Sequence, residues 1–166
     1  MKHLYWIVSE KLAGRAGPNR AAWDAAALAE GGIGAVLSLD TRDVDSDALR
    51  AAGIEHAVVE LPADDQANEQ TEAACLERLP EAQAFLEAQA DAGRKTLVHC
   101  SMGRDRTALV GAYFVACSED LDADFAIAKV RDVRPDALFA PRWEPMALRL
   151  IDELMSQRKR RPGRTR

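Results

Sequence analysis

Residues 95–117 read KTLVHCSMGRDRTALVGAYFVAC. KTLVHC (95–100) has the apolar character of a short buried strand. From Thr107 to Cys117, Leu109, Val110, Tyr113, Phe114 and Cys117 fall on one side at helical spacing. Only the loop Ser101 to Arg106 separates the two patterns. A buried strand that turns this abruptly into an apolar helix is one unit of a sheet covered by helices. In such sheets ligands bind at the carboxyl ends of the strands, and Cys100 falls at such an end.

The rest of the chain repeats the alternation. HLYWIV (3–8), IGAVLSL (33–39) and IEHAVVEL (54–61) predict further strands. Asn19 is a candidate cap for a helix ending at Gly31-Gly32, and Ser46 for a short helix to Ala52. LPADDQANEQ (61–70) reads as a polar turn. Thr71–Ala92 carries a long helical pattern that Pro80 should kink or split. Two more helices are expected at Leu121–Val133 and Pro141–Gln157, with RPDALFAP a loop between them. The fold class that follows is α/β: a central, mostly parallel sheet of four or five strands flanked by helices.

At 166 residues the chain suits one domain, expected over 1–157. The last nine residues, RKRRPGRTR (158–166), hold six basic side chains and are expected to form a disordered tail. The net charge of −5 therefore leaves −11 on residues 1–157. An acidic body argues against broad binding to nucleic acid or anionic lipid, so any anion site must be local. No apolar run reaches the ~20 residues of a membrane span. Cys75, Cys100 and Cys117 show no CxxC pair and no metal-ligand spacing. An odd set of thiols fits a reducing cytoplasm. Cys75 and Cys117, like Trp6 and Trp23, are expected in the core, with Cys75 or Cys117 open to a redox role towards Cys100. His3 and His56 receive no role.

The loop 101–106 has its own chemistry. Successive amides from Ser101 to Arg106 can form an anion-binding nest at a helix N-terminus, with Met102 and Arg104 towards its rim. Gly103 permits a backbone conformation that other residues resist. Arg106 offers a planar fork for two phosphate oxygens. The same donors favour negative charge on the Cys100 sulfur, the reactive form of a thiol. Thr107 can donate its hydroxyl to that sulfur, and His99 is expected to order the loop. The bland alternative is a buried strand-end cysteine with surface arginines.

HCSMGRDRT (99–107) matches HCxxGxxR[ST], and the chain resembles the cysteine-dependent dual-specificity and protein tyrosine phosphatases in compact, bacterial-type form. The resemblance extends through YWIVSEKLAGRAGPN, GIGAVLSL, GIEHAVVELPADD and VRDVRPDAL, roughly residues 4 to 152. It implies the fold of that family and a two-step, metal-free hydrolysis of phosphomonoesters, phosphotyrosine and phosphoserine or phosphothreonine among them, through a cysteinyl-phosphate. It implies no cofactor and Cys100, Arg106 and an aspartate as catalytic residues. In ELPADDQ the aspartate is Asp65 when Pro62 is aligned with the family pattern, with Asp64 its alternative. GRDRT also resembles the loops of lipid-like bacterial tyrosine phosphatases and myotubularins, which makes Asp105 a second candidate acid. Where many relatives carry a glutamine after "RP", this chain has Trp143, with Arg142 and Glu144 as possible substitutes.

The expected partner is a phosphorylated protein or small molecule, with no nucleic acid, no membrane span and a monomeric protein. Arg104 favours a substrate with more than one acidic group, which keeps a phosphoinositide or other non-protein phosphate open. A non-catalytic phosphate-binding module and a sulfur-transfer or arsenate-reducing enzyme are the rivals from other classes.

Overall fold

The computed structural model describes residues 3–161. Its elements run β1 (Tyr5–Val8), β2 (Leu12–Arg15), α1 (Ala25–Glu30), β3 (Ile33–Ser38), α2 (Ser46–Ala51), β4 (Glu55–Val58), α3 (Glu69–Asp91), β5 (Lys95–His99), α4 (Arg106–Glu119), α5 (Ala123–Val133) and α6 (Trp143–Arg160). The sheet has five strands in the order β1-β2-β5-β3-β4. β1 and β2 pair antiparallel; the other pairings are parallel.

Strand alternation sends side chains to two cores. Leu12, Leu37 and Val98 join residues of α3 to α6 in the larger one. Ala13, Val36 and Leu97 pack with Leu28 of α1 and Leu49 of α2 in the smaller one, against which Trp6 and Trp23 lie partly buried. Register then fixes the site. His99 of β5 lies opposite Arg15 of β2 and Ser38 of β3, and Ser38 lies opposite Val58 of β4. Four parallel strands thus end in one row, and the loops after them converge.

Several expected boundaries move. β2 is a strand that pattern reading missed, because Gly14 and Arg15 disguise it. Arg15 is buried, yet its guanidinium donates to the carbonyls of Ala16, Ala21 and Ala22 and stacks over Trp23. The first helix starts at Ala25 with Asp24, not Asn19, as its cap. α2 is capped by Asp45, whose carboxylate accepts from the Ala48 amide, and Ser46 is its first residue. The expected strand to Leu61 ends at Val58, although the Val59 and Leu61 amides still bond to the carbonyls of Ser38 and Leu39.

Pro80 does not split α3, which runs unbroken from an Asn68–Thr71 capping box. Pro80 sits on an exposed face, where the loss of one helical hydrogen bond is tolerated. α6 extends into the basic segment expected as tail: Arg158 to Arg160 are helical, and Arg158 pairs with Glu87 at 2.8 Å. Residues 162–166 lie outside the described residues. Among the described residues no helix is long and apolar enough to cross a membrane.

Candidate active site

The loop between β5 and α4 forms the floor of a cleft of about 320 Å³. Cys100 is 2% exposed, and its Sγ accepts a hydrogen bond of 3.0 Å from Thr107 Oγ1, the second residue of α4. Gly103 has φ +66, and a Cβ there would lie 2.5–2.6 Å from the backbone of Arg15 and Ala16. No other residue permits that approach without moving the backbone. Tyr5 donates its hydroxyl to the Gly103 carbonyl at 2.6 Å, and burial pushes its phenol above the ordinary range.

His99 orders the loop from below. Its Nδ1 meets the Cys100 carbonyl at 3.0 Å and must be the protonated nitrogen. Nε2 is then bare and accepts from Ser38 Oγ at 2.6 Å. Ser38 in turn accepts from His56 Nε2 at 2.9 Å. His56, left without a role by the sequence, is the end of this chain. Burial pushes His99 down to about 4 and lowers His56 as well.

Arg106 is 7% exposed and is held by a residue that sequence reading missed. Its Nη1 lies 3.1 Å from Asp40 Oδ2 and 3.4 Å from the carbonyls of Leu39 and Leu61. Asp40 also pairs with Arg42 at 2.6 Å, and the Arg42 hydrogen bonds hold its carboxyl well below the usual carboxylate range. The loop after β2 makes a second unforeseen contribution: Asn19 Nδ2 and Arg20 Nε donate to Ser101 Oγ at 2.9 and 3.3 Å. Asn19 supports the loop 101–106 and is not a helix cap.

The three candidate acids differ in their surroundings. Asp64 and Asp65 both line the cleft. Asp64 is half-buried, and its carboxylate accepts from Thr71 Oγ1 at 2.5 Å. Asp65 is exposed, and no hydrogen bond or ion pair engages its carboxylate among the described residues. Asp105 is occupied: Oδ2 pairs with Arg104 at 3.0 Å, and Oδ1 accepts from the Ala140 amide at 3.3 Å. Arg104, expected as free rim charge, is consumed by this pair and lies under the exposed ring of Phe139 at 5.3 Å. Met102 is the other large apolar residue exposed at the cleft among the described residues.

Trp143 stands 1% exposed at the start of α6 and donates Nε1 to the Asp64 carbonyl at 3.0 Å. Glu144 pairs with Arg131 at 2.7 Å. Cys75 is fully buried, and burial, with the Asp64 charge second, pushes its thiol up to about 12. Cys117 is half-buried against Met155.

A buried thiol at a strand end, a buried arginine and cleft-lining carboxylates thus meet at the carboxyl ends of parallel strands, where α/β domains bind their ligands. The sequence model of the dual specificity phosphatase catalytic domain matches residues 17–143, and the chain belongs to that family. Among solved structures it is similar to Tk-PTP in its active form (21% identity, 94% of this chain and 98% of the other, TM-score 0.75). It is also similar to human DUSP28 (22%, 93% and 97%, 0.72) and to PTPMT1 in complex with PI(5)P (16%, 93% and 98%, 0.74). These likenesses concern the fold. No curated protein sequence matches this one.

Proposed function

We propose that the protein hydrolyses phosphomonoesters, phosphotyrosine and other aryl phosphates foremost and phosphoserine or phosphothreonine in second place, by way of a cysteinyl-phosphate. The observation that carries this reading is the 3.0 Å hydrogen bond from Thr107 to the Cys100 sulfur, in the cleft that Arg106 lines. Cys100 attacks phosphorus as the thiolate, the S–P bond forms, and the P–O bond to the leaving group breaks. Arg106 and the loop amides of Ser101 to Arg106 hold the equatorial oxygens. Asp65 gives its proton to the departing oxygen; its free carboxyl on the cleft wall supports it over Asp105, which is bound to Arg104 and Ala140. Water then attacks phosphorus, Asp65 takes its proton, the S–P bond breaks, and inorganic phosphate leaves. Thr107 stabilises the thiolate that departs. A reducing compartment such as the cytoplasm suits a catalytic thiol.

Cys100→Ser should abolish hydrolysis of p-nitrophenyl phosphate while phosphate or vanadate still binds; retained turnover would sink the covalent scheme. Asp65→Asn should lose far more activity on phenyl phosphate than on dinitrophenyl phosphate. If Asp64→Asn shows that pattern instead, the acid is Asp64.

A second substrate reading, a phosphoinositide or similar non-protein phosphate, is favoured by Arg20 and Arg42 on the cleft wall and by the likeness to PTPMT1, solved with PI(5)P. Turnover compared between phosphotyrosine peptides and phosphoinositides separates the two.

A further inference from the structure

The segment after α5, residues 134–143, is bonded to both halves of the cleft. On the phosphate-loop side, the Leu138 amide donates to the Arg104 carbonyl at 3.3 Å and the Ala140 amide to Asp105 Oδ1 at 3.3 Å. Arg134 Nη2 donates to the Met102 carbonyl at 3.3 Å. On the acid-loop side, the Ala67 amide donates to the Pro141 carbonyl at 3.0 Å. Trp143 Nε1 donates to the Asp64 carbonyl at 3.0 Å. Fixing that carbonyl fixes the peptide plane between Asp64 and Asp65, and so the origin of either side chain.

We propose that Trp143 is a positioning residue for the general acid: its indole N–H, at the end of a strap anchored by Arg104 and Asp105, sets the acid loop over the phosphate loop. This rests on the reading of Cys100 and of an acid at Asp64 or Asp65 given above. It accounts for the "RD" pair in the signature loop. Asp105 serves proton transfer indirectly, by holding the strap, because both its oxygens are engaged. It also gives Trp143 a function of its own at the place where relatives carry a different side chain. A buried indole N–H must find an acceptor, and the acceptor here is a carbonyl of the acid loop itself.

The test removes the N–H and keeps the ring. Trp143→Phe, and replacement of Trp143 by its isostere 3-benzothienylalanine, are assayed on phenyl phosphate and dinitrophenyl phosphate, with vanadate binding as the measure of an intact phosphate site. In the phosphorylation step, which kcat/KM reports, a misplaced acid costs only substrates whose leaving group needs the proton. Expected is a loss of about tenfold to a hundredfold in kcat/KM on phenyl phosphate, short of the full effect of general acid catalysis, with kcat/KM on dinitrophenyl phosphate and vanadate affinity held within about twofold. Equal losses on both substrates, or no loss on either, would overturn the proposal. So would loss of vanadate binding in both variants, which would assign Trp143 to packing alone. If Asp65→Asn and Asp64→Asn both lack the leaving-group effect, or Cys100→Ser stays active, the underlying reading fails instead.

Discussion

Asp40 and Arg106 are joined by a buried ion pair of 3.1 Å, and the same carboxylate oxygen lies 2.6 Å from Arg42. Arg106 is thereby aimed before any phosphate arrives. Asp40→Asn keeps the shape and removes the charge that fixes the guanidinium. It should lower kcat/KM for p-nitrophenyl phosphate by about tenfold to a hundredfold, some 1.4 to 2.7 kcal/mol. Steady-state kinetics checks it.

In the cysteinyl-phosphate scheme proposed above, Thr107 bears on the second chemical step. Thr107→Val is close to isosteric at a fully buried position but leaves the sulfur without its donor. Dephosphorylation of the enzyme should slow more than its phosphorylation, because the sulfur is the leaving group only in the second step. Rapid-quench measurements should show a burst of p-nitrophenol that the parent protein lacks or shows weakly, and a steady rate reduced by about tenfold, near 1.4 kcal/mol.

His99 makes stability depend on acid. Its folded-state value of about 4 lies below the ordinary 6.5, so the unfolded chain takes up a proton first as pH falls. The stabilisation is complete above pH 6.5 and is lost between there and about 4. The loss amounts to roughly 3 kcal/mol for the full interval. Asp40 acts in the same direction at lower pH, since its carboxyl is held below the usual range. Urea unfolding of the parent protein and of His99→Gln from pH 8 to 4 checks this. The variant should be less stable at pH 8 and should show a shallower decline between 6.5 and 4.

Gly103→Ala forces a Cβ against the backbone of Arg15 and Ala16 at a φ of +66. The loop must move to relieve it. Vanadate binding and turnover should fall together by at least tenfold, while far-ultraviolet circular dichroism stays that of an α/β fold. Calorimetry should show a lowered Tm, consistent with a strain of about 1–3 kcal/mol.

The parts of the site that lie close in sequence were legible there. Cys100, Gly103, Arg106 and Thr107 fall within eight positions of one strand–loop–helix turn, so their spacing already implies their meeting. The strand alternation likewise gave a mostly parallel sheet. Asp40 was not legible, because an aspartate after a strand is unremarkable until β3 and β5 pair with Ser38 opposite His99. Asn19 and His56 escaped for the same reason: their partners, Ser101 and Ser38, are set by the sheet and not by local pattern. β2 was hidden by a buried arginine whose charge is satisfied by three carbonyls and an indole face. Arg104 and Asp105 line the cleft, as their place in the signature loop suggested, but their ties to Phe139 and Ala140 of the strap could not be read from local pattern.

The strap between the acid loop and the phosphate loop has an entropic meaning. Bringing a proton donor and a nucleophile together from separate flexible segments costs conformational freedom. Here hydrogen bonds from residues 134–143 to both loops tie them together in the folded chain. That ordering is completed once, on folding, and does not have to be repeated at each turnover.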